Sequence, residues 1–144
     1  MVWKRKRDNL ALVSKSVQET HDIAKSISKK LKRGDIVFLE GELGVGKTEM
    51  VKGFVKSLDG RPEDVQSPTY LSALNYLTKK GPVIHIDFYK YQKNTNFFKS
   101  FISEFLEEDP YLIFVEWGKG LGEGFLRIRI EEKNKKRYIT VFQK

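Results

Sequence analysis

Residues 36–58 read IVFLEGELGVGKTEMVKGFVKSL, and this stretch decides the fold. It opens on four apolar residues, Ile36 to Leu39, bounded by Asp35 and Glu40. Short strands buried on both faces of a parallel sheet have this pattern. The segment Gly41 to Thr48 then fits GxxxxGK[ST]. Beyond it, Val51, Phe54, Val55 and Leu58 recur at helical spacing, predicting a helix from Thr48 to about Leu58. Strand, glycine-rich loop and helix in this order form the P-loop unit. Glycines let the loop bend so that its N–H groups converge on phosphate, and the helix N-terminus adds a positive dipole end. Lys47 is expected to reach the β- and γ-phosphates, with the Thr48 hydroxyl on Mg²⁺. The expected ligand is magnesium ATP or ADP, cradled by Glu42, Leu43, Gly44, Val45, Gly46, Lys47, Thr48 and Glu49.

Upstream, Leu10 to Val13 reads as a short strand, and Ser16 with Glu19 forms a capping box that starts a helix. Ile23, Ala24, Ile27 and Leu31 supply its buried face, and Gly34 is expected to end it. Downstream, residues 59–64 read as a loop, followed by a hairpin of Tyr70 to Leu77 and Val83 to Tyr89. Phe98, Phe101, Ile102 and Phe105 mark an amphipathic helix. Tyr111 to Val115 is a second buried strand, ending in Glu116, and Trp117 to Gly124 a glycine-rich loop. Leu126 to Glu131 and Arg137 to Phe142 form a C-terminal β-hairpin. The expected fold is α/β: a P-loop NTPase-like three-layer sandwich with a mixed, mostly parallel sheet, as a single domain over residues 1–144 behind a flexible basic lead-in at 1–9.

A P-loop needs a second carboxylate for its metal shell. Glu116 and Asp87 each end an apolar strand, where ligands of α/β sheets bind. Glu116 is expected to be metal-linked together with Thr48, and Asp87 to orient water, although strand position alone allows the reverse. Thr69, on the Pro68-stiffened loop Ser67 to Tyr70, reads as a switch element that senses the γ-phosphate or as ordinary turn chemistry.

The 144 residues contain no cysteine and no run of 18 apolar residues, which excludes disulfides, thiolate metal sites and a membrane-spanning helix. No apolar run follows Met1 to Arg7, so no secretory signal is read, and the expected compartment is the cytoplasm. The net charge of +8 is uneven: +7 over residues 1–33, −4 over 34–125 and +5 over 126–144. Two readings stand side by side, a basic surface for RNA or an acidic protein and solvated lysine with no partner. Arg127, Arg129 and Arg137 read as hairpin residues, well fixed and without a loop to swing on. Arg33 reads as lying at the wrong end of the sheet and Arg61 as lying away from the phosphates, which leaves only Arg5 and Arg7 mobile. Hydrolysis is therefore expected to need charge from another protein.

Several motifs in order carry a resemblance to the bacterial TsaE (YjeE) family. They are Ser16/Glu19/Thr20, GELGVGKT, Ser67-Pro68-Thr69-Tyr70, His85-x-Asp87-x-Tyr89, and Glu116-Trp117 with Lys119-Gly120. The resemblance spans about Ser16 to Arg137. It implies a Mg²⁺-dependent ATPase that works with the TsaB and TsaD proteins in threonylcarbamoyladenosine modification of tRNA, with direct tRNA contact open. It implies that Lys47, Thr48 and Glu116 handle phosphate and metal, that Asp87 and Thr69 serve hydrolysis or switching, and that Thr20 lies near the base. Glu49, Lys90 and Gly118 depart from the family's usual Thr, Arg and Pro. Two alternatives compete. A small-molecule kinase on the same core needs an arginine-bearing lid, and Gly118 to Gly124 carries only Lys119. An RNA-binding module fits the basic ends but lacks a recognised RNA-binding pattern.

Overall fold

The computed structural model describes residues 9–42, 44–68, 73–88, 95–117 and 125–143. Strands β1 (Leu10–Ser14), β2 (Asp35–Glu40), β3 (Ala73–Tyr76), β4 (Val83–Asp87), β5 (Leu112–Glu116), β6 (Leu126–Lys133) and β7 (Lys136–Phe142) form one sheet in the order β1-β7-β6-β2-β5-β4-β3. The four central strands, β6, β2, β5 and β4, run parallel. The flanks are antiparallel: β7 and β1 on one side, β3 on the other. Every residue of β5 is buried, which explains why Leu112 to Val115 shows no polar alternation.

Helices α1 (Val17–Ser28) and α2 (Lys47–Ser57) cover one face of the sheet, and α3 (Thr95–Leu106) covers the other. Alternation along each strand sorts the core into two clusters. Val37, Leu39, Leu112, Phe114 and Ile128 meet Ala24 and Ile27 of α1 and Met50, Val51, Phe54 and Val55 of α2. Ile36, Phe38, Ile84, Ile86 and Val115 meet Phe98 and Ile102 of α3. The expected three-layer α/β sandwich is thus observed, C-terminal hairpin included.

The boundaries differ from expectation in instructive places. Ser16 caps α1, its side chain accepting from the Glu19 N–H, while the Glu19 carboxylate reaches one residue beyond the N-cap and accepts from the Lys15 N–H at 2.7 Å, a shifted form of the capping box. The helix stops at Ser28, well before Gly34, which was expected to end it. Ser28 and Ser57 join α1 to α2 through their hydroxyls at 3.0 Å, and the chain leaves through the turn at Lys30 and Leu31. Gly34, at φ +87°, serves instead the turn into β2, its N–H donating to Tyr111 O. Segment 59–64, read as a loop, holds a 3-10 turn at Pro62–Asp64. The C-terminal hairpin turns on Asn134 and Lys135, both at positive φ, as a two-residue type I′ turn requires. The start of the strand expected at Tyr70, the end of that expected at Tyr89, the loop 118–124 and the lead-in residues 1–8 lie outside the described residues.

The α1–α2 contact holds the glycine-rich loop against the rest of that face. Gly53 makes the close approach possible: a methyl group there would lie 2.7 Å from Ala24 Cβ and 2.9 Å from His21 Cα. Alanine improves helix propensity by about 1 kcal/mol, whereas overpacking a close contact costs about 1–3 kcal/mol. With backbone as one of the obstacles, overpacking should win. Gly53→Ala is predicted to lower the unfolding free energy by about 1 kcal/mol or more, measured by urea denaturation. Stability equal to or above that of the wild type would show that the two helices separate at no cost.

Candidate functional site

β2 ends at Glu40, and the glycine-rich loop leaves the sheet beside the C-terminal ends of β4 and β5. Gly41 is required by contact: a methyl group there would meet Ile130 O at 2.5 Å and Val45 Cγ2 at 2.8 Å. Glu42 and Gly44 are exposed, and Val45 is buried in the core below them. Gly46, at φ +114°, is the N-cap of α2 and supplies no side-chain cap, so the cradle side of that helix end is backbone. Thr48 is half-buried in the first turn. Leu43 and Thr69 lie outside the described residues.

Lys47 is the centre of the site. Its side chain is 6% exposed, yet its ammonium has a specific set of partners. It donates to Gly41 O at 2.7 Å, pairs with Glu116 Oε1 at 3.3 Å and lies 4.6 Å from the centre of the Trp117 ring. Trp117 follows Glu116 with φ +62°, the left-handed conformation that ends β5. Strand register puts Asp87 directly opposite Glu116, on the sheet face that also carries Lys47. The two acidic residues expected near the loop are therefore brought together with it. Among the described residues, Glu116 holds the Lys47 ammonium, and Asp87 stands beside it at the half-buried end of β4.

His85, on β4, joins the site from the side of Glu116 away from Lys47. It is fully buried, and its Nε2 faces Glu116 Oε2 at 2.5 Å. A carboxylate only accepts, so Nε2 carries the hydrogen. The other ring nitrogen, Nδ1, lies 3.3 Å from Tyr76 Oη. Tyr76 Oη accepts from Gln66 N at 3.2 Å, and its one hydrogen has both Gln66 O at 2.9 Å and His85 Nδ1 within reach. Burial pushes the Tyr76 phenol up, a shift that its Gln66 bond opposes and the Glu116 charge reinforces. Burial also pushes Glu116 upward, but the hydrogen bond and charge of His85 and the Lys47 ammonium outweigh it. The carboxyl is held below its ordinary value of 4.5.

Thr20 and Glu49 sit at the α1 side of the loop. Ser14 Oγ donates to Ser16 O at 2.8 Å, so the Thr20 hydroxyl donates to Ser14 Oγ at 2.7 Å, fixing the corner between β1 and α1. Glu49 accepts from His21 Nε2 at 2.9 Å and pairs with Lys52 at 3.4 Å, bridging the two helices.

Arg137 is a fixed hairpin residue, as expected, and it also lies beside the loop: a methyl group on Gly46 would lie 3.5 Å from Arg137 Nε. The guanidinium is held by Glu132 at 3.3 Å across the hairpin. Strand alternation carries the signal, since Arg137, Ile139 and Val141 share the face that α1 and α2 cover. Arg127 and Arg129 instead pair with Glu40 at 3.3 and 3.1 Å and stack on Phe142. Arg33 and Arg61 lie where expected, on the Lys80 carbonyl and on Glu63.

A glycine-rich loop between a buried parallel strand and an amphipathic helix, with a buried lysine facing a strand-end carboxylate, makes this an α/β protein of the P-loop NTPase-like kind. The profile described as threonylcarbamoyl adenosine biosynthesis protein TsaE matches residues 14–139, and the chain belongs to the TsaE family of tRNA threonylcarbamoyladenosine biosynthesis. The TsaE protein of Aquifex aeolicus is 31% identical over 125 residues, covering 86% of this chain and 78% of its own. That of Streptomyces coelicolor is 31% identical over 131 residues, covering 83% and 87%. The crystal structure of Bacillus subtilis YdiB superposes with a TM-score of 0.68 at 26% identity, covering 97% of this chain and 88% of that one. No helix among the described residues is long and apolar enough to cross a membrane.

A group whose folded value is depressed adds stability that is present above its unfolded value and lost as pH falls through its folded value. For Glu116 that window lies below the ordinary carboxylate range. The wild type is therefore predicted to lose its stability advantage over Glu116→Gln as pH drops from about 7 to about 3, followed by urea denaturation at each pH. A difference independent of pH would mean that Glu116 titrates alike in both states.

Proposed function

We propose that loop 41–48 holds the phosphates of Mg–ATP and that the chain hydrolyses ATP in support of threonylcarbamoyladenosine modification of tRNA, together with the TsaB and TsaD proteins. The observation that carries this reading is the buried Lys47 ammonium, set at a helix N-terminus without a side-chain cap and paired with Glu116 at 3.3 Å. Separating a buried ion pair without replacement is costly, and phosphate oxygens offer Lys47 replacement partners at the place where the loop N–H groups converge. Glu116, kept ionised, is then an acceptor for the metal's water shell, while His85 continues to hold its other oxygen. In this reading Asp87, in register with Glu116, orients a water, and the hydroxyl of Thr48, in the first turn of α2, serves as a ligand. Among the described residues no three His, Asp or Glu side chains form a metal cluster. That donor set fits Mg²⁺, which usually keeps its waters and takes phosphate oxygens with one or two protein ligands. The bound metal would neutralise charge on the phosphates.

Arg137 is the described arginine beside the loop, and Glu132 holds it. Hydrolysis by the chain alone is accordingly slow, and partners supply the missing charge or free Arg137 to supply it. A guanidinium at the transferred phosphoryl group is typically worth about 10³–10⁵ in rate.

Two measurements test this. Calorimetry with Mg–ATP should show saturable binding to the wild type and at least a tenfold loss, about 1.4 kcal/mol, in Lys47→Ala. Near-normal affinity in that variant would overturn the site. Single-turnover hydrolysis should accelerate about tenfold or more when TsaB and TsaD are added, and Arg137→Ala should blunt that acceleration. Fast hydrolysis by the chain alone, unchanged by partners, would contradict the dependence on them.

A further inference from the structure

His85 is an unusual choice for its position. It sits on β4 between Val83 and Asp87, on the sheet face packed by α2, with Phe114 set edge-on to its ring at 6.5 Å. An imidazole there is desolvated, and only partners at both nitrogens offset that cost. Both are present, Glu116 at Nε2 and Tyr76 at Nδ1, and Tyr76 is itself only 3% exposed. The resulting chain crosses the sheet from edge strand β3 through β4 to β5. It ends at Gln66, whose N–H and C=O both engage the single Tyr76 oxygen.

We propose that Tyr76 and His85 are positioning residues that tie the Glu116 carboxylate to the backbone at Gln66, so that the nucleotide site and the segment 66–67 respond together. The proposal rests on the nucleotide-site reading above. Glu116 has two oxygens: Lys47 holds one and His85 the other. When phosphate draws Lys47 away, His85 becomes the tether that decides where the carboxylate points. Any shift of Glu116 is then passed through three links, Glu116–His85, His85–Tyr76 and Tyr76–Gln66, to a backbone amide, with no intervening water needed. Partners of this kind, one shell out from a metal-linked group, typically affect function about 10–100-fold.

Amide hydrogen exchange reads the coupling directly, because the Gln66 N–H is itself a member of the chain. Exchange is measured on the full chain with and without saturating Mg–AMPPNP, and calorimetry with the same nucleotide is run in parallel. In the wild type, occupancy should change exchange at Gln66 and Ser67 by about tenfold. In Tyr76→Phe, which keeps the ring and removes the oxygen, nucleotide should still bind within a few-fold while exchange at 66–67 no longer responds. His85→Gln provides a second break in the chain should the first variant fold poorly, and it should behave alike. Hydrolysis in both variants should show a fall in kcat with KM little changed. A wild-type response at 66–67 preserved in a folded variant overturns the proposal, as does nucleotide binding by the wild type with no response there. Absence of binding in the wild type would remove the nucleotide-site reading itself, a separate result visible in the calorimetry.

Discussion

The pairing of Lys47 with Glu116 at the C-terminal end of the central strands is the interaction on which the site depends. Each group is about nine-tenths buried, and each is tolerable there only because the other is present. Satisfying that pair requires β5 to lie beside β2, so that Glu116 falls in register with Leu39 at the root of the loop. It requires α2 to start where Gly41 lets the chain pass under Ile130. It also requires a partner for the second carboxylate oxygen, which β4 supplies as His85. The topology is in this sense the means by which one ammonium and one carboxylate reach each other out of water.

Local signals carried most of the fold. Ser16 and Glu19 predict the start of α1, and unbroken apolar runs predict β2 and β5. Positions decided by contacts distant in sequence were less legible. The end of α1 is set by Ser57, 29 residues on from Ser28, so Gly34 misled. The sheet order, with β6 inserted beside β2 and β7 bringing β1 in from the N-terminus, is not encoded in any local period.

The site divides along the same line. Lys47, Thr48, Asp87 and Glu116 were legible because motif and strand end place them. The Tyr76–His85 connection was not, because a single histidine among apolar residues has no local signature of its two partners, one of them 31 residues away. The nearness of Arg137, on the C-terminal hairpin, to the glycine-rich loop was not legible either. Which face of that hairpin meets the loop follows only from the pairing of β7 with both β6 and β1. Arg127 and Arg129, two residues apart on one strand, face the opposite side and are spent on Glu40 and Phe142. Adjacent basic residues thus have unrelated roles, and net charge by segment says little about either.

In the proposed nucleotide site, Lys47 exchanges Glu116 and the Trp117 ring for phosphate. Trp117 reports this directly, since the ammonium lies 4.6 Å from its ring centre. With Trp3 replaced by Phe, Trp117 emission is followed during titration with Mg–AMPPNP. A saturable change in emission is predicted at the affinity found by calorimetry, absent in Lys47→Ala. Saturation of the site with no change in Trp117 emission would contradict it.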